Sequence, residues 1–86
     1  MKELYEKIIK ALDKGYAMFI YDYDISGHEY AVCCYSYYDK YSIREADCEV
    51  RIMSQDSFVE IHNADKAKVA KAACSWIEDE ECKYPF

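Results

Sequence analysis

YAMFIYDYDISGHEYAVCCYSYYDKY, residues 16–41, is the stretch that decides how this chain folds. It holds eight of the ten tyrosines and no Lys or Arg before Lys40. Residues 16–23 are rich in aromatic and branched side chains, which is typical of a β-strand. Residues 24–27 are Asp-Ile-Ser-Gly, a sequence that favours a turn, and residues 28–37 have the composition of an antiparallel return strand. The stretch therefore predicts an aromatic β-hairpin.

The sequence does not indicate equally well for both strands of this hairpin which face is buried. Both faces of its first strand are apolar at the start, so the alternation alone does not fix which face packs inward. On the second strand, we expect the face that begins with Glu29 and includes Tyr35 to point toward solvent. The residues that we expect to pack against helices are Tyr16, Met18, Phe19, Ile20 and Val32.

Regular elements are predicted on both sides of the hairpin. Residues 2–14 carry Leu4, Ile8 and Leu12 on one helical stripe, and Gly15 then ends the helix. Residues 47–53 alternate as a half-buried strand, with Asp47 and Glu49 outward, and residues 58–62 predict a short fourth strand. Together these patterns predict a single α+β domain of residues 1–86, in the order α-β-β-β(-β)-α, with an antiparallel sheet covered by two helices.

The last helix is predicted to begin at Asn63 as N-cap and to run to about Cys82. Its buried stripe includes Val69, Ala73 and Ile77, with Trp76 at the margin. Four consecutive acids then oppose the helix dipole. Two explanations stay open: the helix ends earlier and the acids form a solvated tail, or the acids face a basic partner. These acids are Glu78, Asp79, Glu80 and Glu81.

The charge of the chain limits the classes of partner. It is −6 at pH 7, with a pI near 4.8. Nine acids and three bases lie between Asp22 and Glu60, so this segment accounts for the whole net charge. An acidic surface disfavours direct contact with nucleic acid and with anionic membranes, and favours a basic protein partner. The alternative is that the acidity serves solubility alone.

The cysteines and the ends of the chain bear on localisation. Five cysteines are an odd number, and two of them are adjacent, so we expect reduced thiols that mostly pack in the core. The sequence has neither a secretory signal pattern nor an apolar stretch approaching about 20 residues. We therefore expect a cytoplasmic protein.

No residues in the chain spell out a catalytic, metal or cofactor site. Cys33 and Cys34 are adjacent and point to opposite faces of a strand, and His28 and His62 have no Cys or His partner at a diagnostic ligand spacing. We expect no enzyme activity, no metal and no cofactor. One alternative is a small hydrolase or ligand-binding protein that uses His28, His62 and a carboxylate. Another is a structural or oligomerisation module that forms a homodimer through its strand edges.

The predicted order of elements is similar to that of double-stranded RNA-binding domains, which is helix, three strands, helix. The Lys- and Ala-rich residues 66–73 look like the helix that ends those domains. That family binds phosphate with lysines that follow a glycine-containing loop. Here residues 60–65 contain no glycine and the middle strands are acidic, so we do not expect direct binding to nucleic acid.

The combination of tyrosines and acids in the hairpin and its neighbours predicts a contact surface. Tyrosine supplies rigid contact area with a polar tip, and carboxylates on a sheet can take the places of phosphates in a basic channel. The residues expected to bind a partner are Tyr21, Asp22, Tyr23, Asp24, Glu29, Tyr35, Tyr37, Tyr38, Asp39, Glu45, Asp47 and Glu49, together with Glu78, Asp79, Glu80 and Glu81.

In its small size, its acidity and its predicted α-β-β-β-α order, the chain resembles the phage anti-CRISPR proteins. Those that it resembles most inhibit Cas9 by placing acidic residues of a small sheet in the cleft that recognises the PAM. The resemblance is architectural and has no defining motif. It implies an inhibitor that acts as a nucleic-acid mimic on a basic, nucleic-acid-binding effector such as a Cas protein.

Overall fold

Two helices and four strands follow one another along the chain, in a computed structural model that describes residues 1–37 and 47–83. The predicted α+β class is confirmed, and the fourth strand is present. The helices are α1, Lys2–Lys14, and α2, Lys66–Cys82. The strands are β1, Tyr16–Asp22; β2, Glu29–Tyr37; β3, Asp47–Met53; and β4, Phe58–Asn63.

The strands form one antiparallel sheet in the order β1-β2-β3-β4, so each strand pairs with its neighbour in sequence. The register places Phe19 opposite Val32, Val32 opposite Ile52, and Ile52 opposite Val59. This row of branched and aromatic side chains crosses all four strands on one face. The hydrophobic core therefore lies against that face of the sheet.

Both helices cover the same face of the sheet. α1 packs on β1 and β2, α2 packs on β3 and β4, and the helices contact each other. Leu4 and Ile8 of α1 and Val69 and Ile77 of α2 are completely buried in this layer. Neither helix has the combination of length and apolar character that a membrane crossing requires.

The other face of the sheet, which we call the open face, has no covering layer within residues 1–37 and 47–83. It consists of alternate residues from each strand: Tyr16, Met18, Ile20 and Asp22 from β1; Glu29, Ala31, Cys33, Tyr35 and Tyr37 from β2; Asp47, Glu49, Arg51 and Met53 from β3; and Phe58, Glu60 and His62 from β4.

Three of the expected core residues lie on the open face. Tyr16, Met18 and Ile20 are 60%, 63% and 57% exposed, so their predicted burial is wrong. Side chains of a strand alternate between faces, so only one set from β1 can meet the helices. Because Phe19 pairs with Val32, that set contains Phe19.

Local chemistry explains where the helices begin and end, and it corrects the predicted N-cap of α2. Gly15 adopts a left-handed conformation at φ 91° and ends α1, as predicted. Asn63 is not the N-cap of α2; Asp65 is, and its carboxylate accepts a hydrogen bond from the Ala67 N–H at 2.9 Å. The Asn63 side chain instead accepts a hydrogen bond from the Asp65 N–H, at 2.9 Å, before the helix begins. This places Asn63 within β4 rather than at the start of the helix.

Candidate functional site

An apolar row crosses the open face from one edge of the sheet to the other. Ile20 lies opposite Ala31, Ala31 opposite Met53, and Met53 opposite Phe58. Ile20, Met53 and Phe58 are 57%, 45% and 56% exposed, and Met18 lies beside the row on β1. Contiguous exposed apolar surface on a folded domain marks a contact site. We call Ile20, Ala31, Met53 and Phe58 the apolar row.

An acidic pair lies next to the apolar row, at the end of β1 and the start of β2. Asp22 is directly opposite Glu29 in the register, and both are exposed. Like charges in directly opposed positions destabilise a sheet. Asp24, in the following turn, adds a third exposed carboxylate at the same end. A cationic partner surface would relieve this local repulsion.

On the far side of the open face, Glu49 is buried and engaged within the chain. It is 2% exposed, although the strand alternation had placed it outward as a partner-binding acid. His62 Nε2 lies 2.8 Å and Arg51 Nε 3.2 Å from Glu49 Oε1, and the Tyr37 hydroxyl donates to Oε2 at 3.1 Å. These three side chains cover the carboxylate. The expectation that Glu49 offers a carboxylate to a partner is therefore corrected.

The same cluster contains donor atoms that could hold a metal ion. One ligand atom each from Glu49, Glu60 and His62 lies within 4.8 Å of the others. However, Arg51 Nε also lies 3.5 Å from Glu60 Oε1, so a guanidinium already neutralises both carboxylates. The arrangement is an internal network of ion pairs in which Arg51 supplies positive charge to both carboxylates.

The acids at the end of α2 fit neither of the two explanations that the sequence left open, a solvated tail or a row of acids that face a basic partner. The helix continues to Cys82, so these acids are not a tail. Glu80 and Glu81 are 5% and 9% exposed and bind other parts of the chain, so they do not face a partner. Only Glu78 and Asp79 are exposed. The expected partner role is corrected for Glu80 and Glu81.

Glu81, at the end of α2, forms hydrogen bonds with the β1–β2 turn and with β2. Its carboxylate accepts a hydrogen bond from the buried Tyr30 hydroxyl and lies 3.0 Å from His28 Nδ1. Glu80 similarly accepts hydrogen bonds from Ser57 Oγ at 2.9 Å and from Lys83 Nζ at 2.7 Å. Adjacent helical carboxylates thus hold two sheet segments, one on each side of α2.

The pKa of each of these carboxyls is lowered. Burial raises the pKa of Glu81, but hydrogen bonds from Ser26, Tyr30 and His28 outweigh it, and the net value lies below the ordinary 4.5. For Glu80, the hydrogen bond from Lys83 is the largest cause of the lowered pKa, while burial opposes it. A lowered folded-state pKa means that the unfolded chain binds protons first as the pH falls.

We expect the free energy of unfolding to fall in acid because of these two groups. Their contribution is complete above the ordinary Glu pKa of 4.5 and is lost as the pH drops through the lower folded-state values. Each carboxyl contributes a slope of at most about 1.4 kcal/mol per pH unit. Urea unfolding across the acid range measures the slope, which Glu81→Gln should flatten. An exposed neighbour, Glu78→Gln, should leave it unchanged; equal slopes in both variants would contradict this account.

The two histidines do not form a common site. His28 contacts Glu81 on the helix side of the sheet, whereas His62 contacts Glu49 on the open face. His28 borders a cavity of about 90 Å³ between the two hairpin turns and the end of α2. The hydrolase alternative required both histidines to act with one carboxylate, and this arrangement separates them.

The five cysteines are free thiols, and burial disfavours nucleophilic chemistry at Cys34 and Cys74. Cys33, Cys34, Cys48 and Cys74 are buried, and Cys82 is exposed. Burial raises the pKa of the Cys34 thiol to about 12, with a smaller contribution from Cys33. Because the thiolate is the nucleophile, such a group stays in its unreactive form.

The residues predicted to bind a partner divide among several locations. Tyr35, Tyr37, Asp22, Glu29 and Asp47 all lie on the open face, with Asp22 and Glu29 at one end of β2 and Tyr37 and Asp47 at the other. Tyr21 and Tyr23 pack against the core, while Asp24 is exposed in the turn. Tyr38, Asp39 and Glu45 lie outside the described residues. Sequence analysis did not identify Met18, Ile20, Met53, Phe58, Glu60 and His62 as members of this surface.

The molecule is thus a small α+β domain with a two-helix layer on one face of a four-stranded sheet and an uncovered apolar and acidic face opposite. Comparisons with protein-family models, with curated proteins and with solved structures find no match to the chain.

Proposed function

We propose that this chain is a non-enzymatic binding protein that docks the open face of its sheet onto a basic protein partner. The observation that carries the proposal is the exposed apolar row from Ile20 to Phe58, with the like-charged pair Asp22 and Glu29 beside it. Apolar side chains at the centre of a surface with charged groups at its rim are the usual composition of a protein interface. The row supplies buried area, and the acids supply steering and specificity.

A basic partner fits this face better than a second copy of the chain. Two copies would bring the same carboxylates together, since among residues 1–37 and 47–83 Asp22, Glu29, Asp47 and Glu60 share the face with one guanidinium, that of Arg51. The planar area of four strands about 4.8 Å apart and seven residues long is roughly 450 Å². A standard interface buries about 800 Å² on each partner. The partner therefore reaches beyond the sheet onto the acidic rim.

Inhibition of a nucleic-acid-processing effector, such as a Cas protein, is the more specific form of this proposal. Its support is the group of exposed acids Asp22, Asp24 and Glu29 at one end of the open face, which can occupy a basic groove. The buried carboxylates Glu49, Glu80 and Glu81 do not add to such a mimic, because groups within the chain already bind them. Apolar contact consequently contributes more to the proposed affinity than mimicry of phosphates does.

The Asp22→Lys variant tests the role of the acidic pair, because stability and binding should change in opposite directions. It replaces a like-charged pair with an opposite pair, which should raise the free energy of unfolding by about 0.2–1 kcal/mol. It should lower affinity for a basic partner on the order of tenfold at low salt, mainly by slowing association. Urea unfolding measures the first effect, and surface plasmon resonance against a partner isolated by affinity capture measures the second.

The matched control is Glu6→Lys, an equal charge change on the exposed side of α1. It should leave the association rate nearly unchanged. If Asp22→Lys and Glu6→Lys slow association equally, the acids of the open face have no special role. If neither variant has an effect, the idea of a nucleic-acid mimic is wrong. Contact through the apolar row is tested separately, by the Ile20→Asp variant described in the Discussion.

A further inference from the structure

Three tyrosine rings are in consecutive contact on the open face, next to Glu49 and Arg51. The ring centroids of Tyr16 and Tyr35 are 5.3 Å apart, and those of Tyr35 and Tyr37 are 6.1 Å apart with planes only 11° from parallel. Tyr16 and Tyr37, at the two ends, are both exposed. We call these three residues the tyrosine ladder. It offers ring faces to any planar cation that approaches the sheet.

The ladder already binds one guanidinium, that of Arg51. Its Cζ lies 5.2 Å from the centroid of the Tyr35 ring, and its Nε lies 3.2 Å from Glu49 Oε1. Tyr35 and Glu49 are directly opposite each other in the β2–β3 register. A cross-strand pair of one tyrosine and one acid thus holds an arginine side chain here by ring contact and charge, and Glu60 Oε1 lies a further 3.5 Å from its Nε.

The same cross-strand pair occurs again two residues further along. Tyr37 lies opposite Asp47, on the same face and in the same relation as Tyr35 and Glu49. The Tyr37 ring is stacked on Tyr35, and its hydroxyl is held by Glu49. The Asp47 side chain is 56% exposed, and its Oδ2 lies 4.0 Å from Nδ1 of the His62 ring on β4. Neither a lysine nor an arginine contacts this second pair within the described part of the chain.

We propose that Tyr37 and Asp47 bind an arginine side chain of the partner, in the way that Tyr35 and Glu49 bind Arg51. This inference rests on the proposed function, and it names the chemistry of the partner's contact. Arginine fits better than lysine because its planar guanidinium stacks on a ring while donating to a carboxylate in the same plane. Lysine offers a compact, strongly hydrated charge that gains less from the ring.

Two peptides of equal length and charge test the inference on the full chain. One alternates Arg and Ser, the other Lys and Ser, and fluorescence anisotropy measures both dissociation constants. We expect the Arg peptide to bind about tenfold more tightly than the Lys peptide, since a cation–π contact at an exposed site adds to a charge that both share. Tyr37→Ala should abolish the preference, and Tyr37→Phe, which keeps the ring, should retain it.

Asp47→Asn should weaken binding of the Arg peptide several-fold, whereas Glu6→Gln, the same loss of one carboxylate on the exposed side of α1, should not. Circular dichroism confirms that each variant is folded. Equal affinities for the two peptides, an arginine preference that survives Tyr37→Ala, or no binding of the Arg peptide up to about 1 mM would each overturn the inference. Failure of this inference can be distinguished from failure of the proposed function. If only the arginine contact is wrong, Ile20→Asp still prevents capture of the protein partner. If the proposed function is wrong, Ile20→Asp does not prevent that capture.

Discussion

The Glu81→Ala variant is expected to lose about 3 kcal/mol of unfolding free energy. Glu81 is buried at the end of α2, where its carboxylate accepts from the Tyr30 hydroxyl and contacts His28. Tyr30 is itself 1% exposed, so its hydroxyl loses a charged acceptor in a place that water reaches poorly. Since domains of this size are stable by only about 5–15 kcal/mol, the loss is a large fraction of the total. Urea unfolding followed by circular dichroism measures it.

A matched control for this variant is available one helical turn earlier. Glu78 is an exposed carboxylate on the same helix, and Glu78→Ala should change the unfolding free energy by no more than about 0.5 kcal/mol. A Tyr30→Phe variant supplies a second comparison, because it removes the donor of the same hydrogen bond. If Glu81→Ala destabilises the chain no more than Glu78→Ala does, Glu81 does not fasten the sheet to α2.

The Ile20→Asp variant is expected to fold normally and to lose affinity for the partner by on the order of 100-fold. Ile20 is at one end of the apolar row and is 57% exposed, so its replacement creates no buried charge in the free protein. In the complex, the aspartate would be buried against apolar surface without a partner for its charge, and replacement of a hot-spot side chain in an interface costs about 2 kcal/mol or more. Phe58→Asp, at the other end of the row, should act in the same way. Isothermal titration calorimetry with the captured partner measures both losses.

Ile25 provides the control for this prediction. It is 82% exposed, and it lies in the turn between β1 and β2 rather than on the sheet face. Ile25→Asp makes the same chemical change and should alter affinity less than about threefold if contact is made through the apolar row. Equal losses in Ile20→Asp and Ile25→Asp would mean that added negative charge, and not the apolar row, is what weakens binding.

Much of the fold could be predicted from local patterns. The stripe of Leu4, Ile8 and Leu12 and the left-handed Gly15 define α1, and the alternation around Val50 defines β3. The turn chemistry of residues 24–27 predicts the hairpin that joins β1 and β2. These signals are strong because each depends on residues close in sequence. They are enough to give the α+β class and the order of the elements.

The orientation of β1 could not be predicted, since both of its faces are apolar. Pairing of Phe19 with Val32, and the placement of both helices on that face, decide which side chains are buried. Such contacts join distant parts of the chain. Tyr16, Met18 and Ile20 were consequently expected in the core, although they form part of the open face.

The sequence contains a signal for the buried carboxylates at the end of α2. Glu80 and Glu81 follow Ile77 by three and four residues, and so lie on the same side of the helix as the buried stripe. Their distant partners include His28, Tyr30 and Ser57, which are 23 to 53 residues away. The spacing predicts that these acids point inward, but only the structure shows which groups bind them.

The methionine methyl groups give the most direct measurement of whether the open face is the binding surface. The chain has three methionines: Met18 and Met53 lie on the open face, and Met1 lies on the helix side beside Tyr21. The chain labelled with ¹³C-methyl methionine is titrated with its partner and followed by NMR. The account predicts that the Met18 and Met53 signals shift or broaden on binding, while the Met1 signal stays in place. A complex in which Met1 responds and Met18 and Met53 do not would contradict it.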